Sequence, residues 1–355
     1  MDINDRIIDI SDTILVTGAN GFIGSRVVKA LLDYGFVNLK CCVRPSSNPA
    51  ALEKIISPYK TSNVQICRAN LSSQVDCEKL TEGVQIVYHL AAAMRDRNFE
   101  SSYMNNVITT ENLLNGVAKN RTIRRFVNVS SLRVYSNMKL RSGALLDETC
   151  AVESDLFDRG DAYCSAKVRQ DDLVSRFCTI NKLSYVIVRP GIVYGPGSRE
   201  IHRMIGRRIR IGTFELFLHL GGANKLPLSY VDNCADAIVL AGISKSADRE
   251  VFNVVDDNLP ASSCFLKLYK QNVRRFSSLY IPYQLIYAVC CLVEKYYRLF
   301  NGESPPRLNR RMCAAAWKGN EYSNGKLKKL LGWEPKVSFD EALNRYFEYQ
   351  KADSM

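Results

Sequence analysis

A tyrosine and a lysine four residues apart, in Tyr163-Cys164-Ser165-Ala166-Lys167, could carry acid–base chemistry. On a helix this spacing places both side chains on one face. A free phenol titrates at about 10 and is a poor base at neutral pH. A neighbouring ammonium group favours the phenolate and lowers that pKa. The pair therefore predicts a group that takes a proton from a substrate alcohol, although an ordinary surface pair has the same spacing.

Two adjacent serines, Ser130 and Ser131, follow an apolar run that predicts the fifth strand of a sheet. A side chain at the carboxyl end of such a strand lies at the rim of the sheet, where open α/β folds bind their ligands. We therefore expect a serine hydroxyl here to hydrogen-bond the same substrate oxygen as the tyrosine.

A glycine-rich segment, Thr17-Gly18-Ala19-Asn20-Gly21-Phe22-Ile23-Gly24, lies between the first predicted strand and the first predicted helix. Gly18 can make the tight turn, Gly21 lets the backbone approach a pyrophosphate, and Gly24 permits close packing of helix on strand. The helix N-terminus adds free N–H donors and the positive end of its dipole. The position between strand and helix favours a dinucleotide site over an ordinary βα turn.

Arg44 stands at the end of the second predicted strand, twenty residues after Gly24. A cofactor without a 2′-phosphate usually meets Asp or Glu there, whereas a basic residue suits the phosphate. The sequence therefore favours NADP over NAD. The alternative is an arginine that is merely on the surface.

Strands and helices alternate through the first two-thirds of the chain. The predicted strands are Thr13–Thr17, Leu39–Val43, Val64–Arg68, Gln85–Leu90, Arg125–Ser130 and Ser184–Arg189, and the predicted helices are Phe22–Tyr34, Met104–Lys119 and Ala162–Asn181. Because parallel strands need crossover connections, this order predicts a Rossmann-type doubly wound parallel sheet over residues 1–195. A further strand returns to it near Val251–Val254. Residues 196–355 predict a smaller, mostly helical substrate-binding lobe that interleaves with the first.

Composition and charge exclude several classes of protein. The chain has 46% hydrophobic and 24% charged residues, so disorder is not expected. The net charge of +12 is spread along the chain without a nucleic-acid-binding motif, which predicts no nucleic-acid partner. Twelve cysteines without C-x-x-C spacing, and only three histidines, predict buried free thiols and no metal site. The N-terminal segment lacks the apolar stretch of a secretory signal, so we expect a cytoplasmic protein.

Leu279–Val293 is strongly apolar, with Gln284 its single strongly polar residue. A membrane-spanning helix needs a run of about 18–20 apolar residues, and this one is shorter. It therefore predicts a buried or interfacial helix, and with it a peripheral membrane contact through residues 279–300.

These motifs, with others further along the chain, resemble the extended short-chain dehydrogenase/reductases. That family includes nucleotide-sugar epimerases, dehydratases and 3β-hydroxysteroid dehydrogenases, and the resemblance covers roughly residues 12–345. The additional matching segments are His89-Leu90-Ala91-Ala92, Asn106-Val107, Arg189–Pro196, Tyr230-Val231-Asp232, Leu331–Pro335 and Phe339–Ala342.

The resemblance implies roles for individual residues. Ser131 is the catalytic serine, since it lies three residues before the Val134-Tyr135 pair as the family's does. Tyr163 is the acid/base, and Lys167 is its activator and a ribose ligand. With Arg44 included, the implied NAD(P) contacts are Gly18, Gly21, Phe22, Ile23, Gly24, Arg44, Asn70, Leu71, Leu90, Ala91, Ala92, Tyr163, Lys167, Pro190 and Val193. Asn70 stands where the family has an Asp on the adenine side.

We expect an NAD(P)-dependent epimerase or oxidoreductase acting on a secondary alcohol or ketone of a nucleotide- or lipid-linked sugar. Dehydratases of the family carry an Asp-Glu pair where this chain has Leu132-Arg133, which disfavours that activity. A sterol-type 3β-hydroxysteroid dehydrogenase is the alternative, because Leu279–Phe300 resembles the matching part of those enzymes. The second alternative is a non-catalytic dinucleotide-binding protein.

Two further expectations concern surfaces. Arg199, Arg203, Arg207 and Arg208 either supply phosphate contacts from a loop or belong to a solvated basic helix. By resemblance, a homodimer is expected through the helices Met104–Lys119 and Ala162–Asn181.

Overall fold

The computed structural model describes residues 5–353 except 95, 97, 199–204, 213, 301–305 and 307. Its strands are β1 (Thr13–Thr17), β2 (Asn38–Val43), β3 (Asn63–Arg68), β4 (Ile86–His89), β5 (Arg125–Val129), β6 (Leu145–Leu146), β7 (Ser184–Pro190), β8 (Ile192–Tyr194), β9 (Gly206–Ile211), β10 (Phe214–Leu220), β11 (Leu228–Tyr230), β12 (Val251–Val254), β13 (Ser277–Ile281) and β14 (Glu321–Tyr322). Its α-helices are α1 (Phe22–Asp33), α2 (Ala50–Ile56), α3 (Gln74–Thr81), α4 (Phe99–Tyr103), α5 (Thr109–Lys119), α6 (Leu156–Arg159), α7 (Ala162–Ile180), α8 (Val231–Ile243), α9 (Ser262–Asn272), α10 (Tyr283–Phe300), α11 (Arg310–Trp317), α12 (Gly325–Leu331) and α13 (Phe339–Asp353).

Seven strands form one sheet in the order β12-β7-β5-β4-β1-β2-β3. Every neighbouring pair in it is parallel. The predicted Rossmann-type doubly wound sheet is therefore confirmed. The strand order reverses between β1 and β4, and in such sheets ligands bind outside the carboxyl ends of the strands at this point.

The central strands are apolar because both faces of the sheet are covered. In β1, Ile14 and Val16 pack into the core on one face, together with α1 and α8. Leu15 packs into a separate core on the other face, with Leu113 of α5 and Phe126 of β5. Alternate side chains of a strand point to opposite faces, so a strand buried on both sides has a continuous apolar run.

The helix predicted over Met104–Lys119 starts earlier and is interrupted. The Asn98 side chain caps α4 by accepting from the Glu100 and Ser101 N–H groups at 2.7 and 3.2 Å. A π-helical turn, Met104–Ile108, then joins α4 to α5. Such turns occur frequently at functional sites.

The C-terminal part contains more strand than the mostly helical lobe that the sequence predicts. β9, β10 and β13 form a three-stranded sheet, in which β10 pairs antiparallel with β9 and parallel with β13. Arg207 and Arg208 thus lie on a strand, and neither the loop nor the basic helix expected for them is correct. The Arg208 Nε atom pairs with the Glu215 carboxylate at 2.7 Å. Arg199 and Arg203 lie outside the described residues.

The helix predicted over Leu279–Val293 is wrong in its first three residues, which belong to β13. The rest lies in α10, where Ile286 and Cys290 are buried. The large apolar side chains of α10 that face solvent are Leu285, Val289, Leu292, Tyr296, Leu299 and Phe300. None of the helices in the described part of the chain has the length and hydrophobicity to cross a bilayer.

All twelve cysteines are free, and eight of them are buried. Burial raises the pKa of the Cys41, Cys42 and Cys178 thiols to about 12, so these side chains behave as small apolar groups.

Candidate active site

The turn between β1 and α1 leaves no space for side chains at its glycines. Gly18 has a φ of +68°, and a Cβ atom there would approach the Ala91 nitrogen to 2.9 Å. A Cβ atom on Gly24 would collide with the Gly18 carbonyl oxygen. Gly21 begins α1 without a side-chain cap, so the first N–H groups of this helix are not held by a side chain. Close backbone approach and uncapped helix-end donors are what a pyrophosphate requires, and these residues fit one.

The ends of β2 and β3 carry two exposed side chains, Arg44 and Asn70. The strands remain hydrogen-bonded to their ends, with the Ala69 N–H donating to the Val43 carbonyl at 3.1 Å. The Asn70 side-chain oxygen accepts from the Ser72 N–H at 3.1 Å, so it is engaged within its own turn. Leu71 packs partly buried under the sheet. Arg44 therefore presents its guanidinium at the same sheet edge as the glycine turn.

The segment after β4 lies against the glycine turn. Leu90, Ala91 and Ala92 are half-buried. The Ala91 N–H donates to the Thr17 hydroxyl at 3.2 Å, and the Ala93 N–H donates to the Asn106 side chain at 2.9 Å. Asn106 lies in the π-helical turn, which thereby fixes the path of this segment. A positioning role for Asn106 follows from these contacts.

The two serines after β5 differ in their surroundings. Ser130 is 4% exposed and donates its hydroxyl to the Asp171 carboxylate at 2.9 Å. Asp171 also accepts from Arg189 at 3.1 Å and from Asn128 at 2.9 Å. The half-buried Ser131 accepts from the Arg133 N–H at 3.2 Å, which leaves its hydroxyl proton available. Ser131 is thus the serine that can donate to a substrate oxygen.

Tyr163 and Lys167 both lie on α7, whose N-cap, Asp161, accepts from the Cys164 N–H at 3.2 Å. Tyr163 is half-buried, and nothing in the described part of the chain hydrogen-bonds its hydroxyl. Burial raises its pKa to about 12, and the Arg133 guanidinium is the largest influence lowering it. Lys167 is 2% exposed, and its Nζ donates to the Val129 carbonyl and to Gln170, both at 2.8 Å. Burial lowers the pKa of Lys167 to about 8, against the opposing charge of Asp171.

A chain of hydrogen bonds links Lys167 to the glycine turn, and sequence reasoning missed it. Gln170 donates to the Thr110 hydroxyl at 2.6 Å, which contacts His89 Nε2 at 2.8 Å. The His89 Nδ1 atom contacts the Thr17 hydroxyl at 2.8 Å. Burial lowers the pKa of His89 to about 3, so the ring is neutral and holds this chain together. The available signal was polar residues on the buried face of α7, three and four positions after Lys167.

Pro190 and Val193 lie near the carboxyl-terminal end of β7. β5 and β7 run side by side to their carboxyl ends, where the Ser130 N–H donates to the Val188 carbonyl at 2.7 Å. Pro190, the last residue of β7, is buried, and Val193 in β8 is partly buried against the main core. The residues predicted for the cofactor lie at or just after the ends of β1, β2, β3, β4 and β7, in β8, or in the first two turns of α1 and α7. Phe22 and Ile23, both half-buried, form the first turn of α1.

The arrangement combines a backbone cradle for a dinucleotide with a phenol, a serine hydroxyl and a buried lysine. These groups define a class of protein, the dinucleotide-dependent enzymes that move a hydride and a proton between cofactor and substrate.

Comparison with known proteins agrees with this class. The model of the NAD dependent epimerase/dehydratase family matches residues 14–254, and the chain belongs to that family. It is an NAD(P)-dependent enzyme of the extended short-chain dehydrogenase/reductase type.

Three proteins of known type illustrate the similarity. A sterol-4-alpha-carboxylate 3-dehydrogenase, decarboxylating, of Dictyostelium discoideum is 22% identical, over 93% of this chain and 98% of that protein. A 3beta-hydroxysteroid-dehydrogenase/decarboxylase, isoform 2, of Arabidopsis thaliana is also 22% identical, over 93% of this chain, which spans only 60% of its length. The crystal structure of UDP-glucuronic acid 4-epimerase from Bacillus cereus in complex with NAD has a TM-score of 0.69 and 21% identity, over 97% of this chain and 100% of that one.

Proposed function

We propose that the protein oxidises or reduces a secondary alcohol or ketone of a nucleotide- or lipid-linked sugar, either as an epimerase or as a net oxidoreductase. The observation that supports this most directly is the Tyr163 hydroxyl. It has no hydrogen-bond partner in the described part of the chain and lies on the helix that also carries the buried Lys167.

In this proposal the chain's own residues manage the proton and the geometry. Bound NAD(P) supplies the hydride acceptor or donor. The Tyr163 hydroxyl oxygen removes the proton from the substrate carbinol in the oxidising direction and returns it in the reducing direction. The Ser131 hydroxyl donates to the same substrate oxygen and orients it. Lys167, held by Val129 and Gln170, would bind the ribose. The expected lowering of the Tyr163 pKa by Lys167 is not seen, and Arg133 is the cation that lowers that pKa.

A sterol-type 3β-hydroxysteroid dehydrogenase is the second candidate. The exposed apolar face of α10, with Leu292 at 68% exposure, favours it because such a surface suits an apolar substrate or a membrane. The similarity to sterol-4-alpha-carboxylate 3-dehydrogenase favours it too, whereas the similarity to UDP-glucuronic acid 4-epimerase favours the sugar.

Substitution of Tyr163 by Phe tests the proposed chemistry. We expect turnover of UDP-hexoses, followed by product NMR and NAD(P)H absorbance, to fall by at least about 100-fold. The matched control is Tyr185→Phe, whose hydroxyl contacts Ser175 at 3.1 Å. Unchanged turnover in Tyr163→Phe would contradict the acid–base role. Net NAD(P)H formation with sterols alone would select the second candidate, and cofactor binding without turnover of either substrate class would support the non-catalytic alternative.

For the cofactor, we propose a preference for NADP over NAD. Arg44 supports this, because its exposed guanidinium follows β2 at the edge that carries the glycine turn. A 2′-phosphate would find a cation there.

We also propose that α10 makes a peripheral contact with an anionic lipid surface. Its exposed apolar side chains recur at helical spacing from Leu285 to Phe300, so they form one stripe. Lys295 and Arg298 are exposed on the same helix, and Arg274 and Arg275 are exposed just before β13. An apolar stripe with basic neighbours is typical of interfacial helices.

A homodimer through α5 and α7 also remains a prediction.

A further inference from the structure

Arg133 lies beside the reacting groups and has no role in the chemistry described so far. It follows Ser131 by two residues, and its N–H donates to the Ser131 hydroxyl oxygen at 3.2 Å. Its guanidinium carbon lies 5.9 Å from the centre of the Tyr163 ring. The guanidinium charge therefore lies beside the Tyr163 ring, and the backbone of the same residue contacts Ser131.

The position of Arg133 is fixed from two sides. Its Nη2 atom donates to the Asp161 carboxylate at 2.5 Å, and Asp161 is itself buried as the N-cap of α7. Its carbonyl oxygen accepts from the Cys164 thiol at 3.1 Å. Asp161 and Cys164 lie on either side of Tyr163 in the sequence. Their contacts therefore fix the position of Arg133 relative to the Tyr163 ring.

Most N–H donors of the Arg133 guanidinium are nevertheless not engaged in hydrogen bonds within the described residues. It has five N–H donors, and within the described residues a single hydrogen bond, to Asp161, accounts for one of them. Its side chain is 49% exposed. Lys167 and Arg189, the neighbouring cations, are buried and have acceptors of their own. A purely structural ion pair would explain the contact with Asp161, but it does not require a solvent-facing donor edge beside the catalytic phenol.

We infer that Arg133 binds a carboxylate that the substrate carries on the carbon next to the reacting carbinol. This inference rests on the proposed function and specifies its substrate class. The planar donor edge of a guanidinium matches a carboxylate in a bidentate manner. In this proposal the carbinol oxygen contacts Ser131 and Tyr163, and the carboxylate on the neighbouring carbon meets the remaining donors of the guanidinium.

The charge of Arg133 also removes an obstacle to such a substrate. A carboxylate beside Tyr163 disfavours the phenolate, because two negative charges repel each other. A guanidinium that binds the substrate carboxylate would offset this negative charge near the phenol. A neutral substrate would not need this arrangement.

Two pairs of compounds test the inference with purified protein and either cofactor. Each pair differs only by the carboxylate next to the reacting carbinol: UDP-glucuronic acid against UDP-glucose, and a 3β-hydroxysteroid with and without a 4α-carboxylate. We expect the acid of one pair to have the higher kcat/KM, by about tenfold to hundredfold. In R133Q the ratio of kcat/KM for the acid to kcat/KM for the neutral compound should fall to about one, mainly because the KM for the acid rises. R133K should retain part of the preference for the acid.

R176Q is the matched control, because Arg176 also pairs with an aspartate, Asp172, but on the exposed side of α7. It should leave the ratio unchanged. Preference for the neutral compound, equal losses for both compounds in R133Q, or failure of all four to bind or react would overturn the inference. The first two results leave the proposed oxidoreduction intact, since Tyr163→Phe measures that separately.

Discussion

Lys167 is the most deeply buried charge of the candidate site, and its surroundings decide how it behaves. The ammonium group has two acceptors at 2.8 Å, the Val129 carbonyl and Gln170. Burial lowers its pKa to about 8 despite the nearby Asp171 carboxylate. The folded protein therefore releases this proton at a lower pH than the unfolded chain, where a lysine titrates at about 10.4.

The first prediction concerns stability against pH. Between about pH 8 and 10 the unfolded chain binds the Lys167 proton and the folded protein does not, so the free energy of unfolding gains a term that rises with pH. We expect the wild-type value to rise relative to K167M by about 2 kcal/mol over this window. Urea unfolding at several pH values measures it.

K60M is the control for this measurement, because Lys60 is exposed. Its curve should run parallel to that of the wild type. If the K167M curve also ran parallel, the pKa of Lys167 would not be lowered in the folded protein, which would contradict its burial.

At the scale of elements, the parallel sheet could be predicted because a strand that is buried on both faces has a continuous run of apolar residues. β1 has the predicted bounds, and β2, β3 and β7 differ from prediction by one residue at one end. The end of each predicted strand determines which residues lie at the carboxyl-terminal rim of the sheet, so the positions of the motifs follow from the strands. The roles of Ser131, Tyr163 and Lys167 stay predictions, and only the position of Ser131 after β5 followed from the order of strands.

The C-terminal elements could not be predicted in the same way. β9 has the sequence Gly-Arg-Arg-Ile-Arg-Ile, so no continuous apolar run marks it, and it pairs with β10. β13 is exposed at Ser277–Tyr280 and looks like the start of the next helix. The π-helical turn at Met104–Ile108 has no sequence signal of its own. The contact of Arg133 with Tyr163 likewise depends on how α7 meets the end of β5.

The second prediction belongs to the end of β2. R44E removes the cation proposed to meet a 2′-phosphate and supplies a carboxylate for a ribose hydroxyl. NADPH binding, measured by titration of its fluorescence, should weaken by about tenfold to hundredfold, as expected for one charged hydrogen bond, while NADH binding should hold or tighten.

R121E controls for the change in net charge. Arg121 is exposed in the loop between α5 and β5, at the amino-terminal ends of the strands and away from the cofactor side. Tighter binding of NADH than NADPH by the wild type would remove the argument from Arg44. A loss of both cofactors in R44E would indicate a structural role instead.

At the scale of the whole molecule, charge and exposed apolar surface occur together. The chain carries a net charge of +12. Exposed large apolar side chains concentrate on one helix, α10, and on the adjoining Leu279 and Tyr280 of β13. A monomeric soluble protein rarely presents such a continuous apolar patch. Net positive charge attracts an anionic lipid surface at long range, and the stripe then gains free energy by leaving water.

The last prediction follows from this combination. We expect the protein to cosediment with phosphatidylglycerol-containing vesicles and to bind pure phosphatidylcholine vesicles weakly. L292E places a charge in the middle of the stripe and should reduce vesicle affinity by about tenfold or more, since it removes the burial of one leucine. I180E is the matched control, because Ile180 is 79% exposed at the end of α7. NAD(P)H binding should be unchanged in both variants, which verifies folding. Equal vesicle binding by wild type and L292E would contradict the proposal, and concentration-dependent self-association lost only in L292E would assign the stripe to a second copy of the chain.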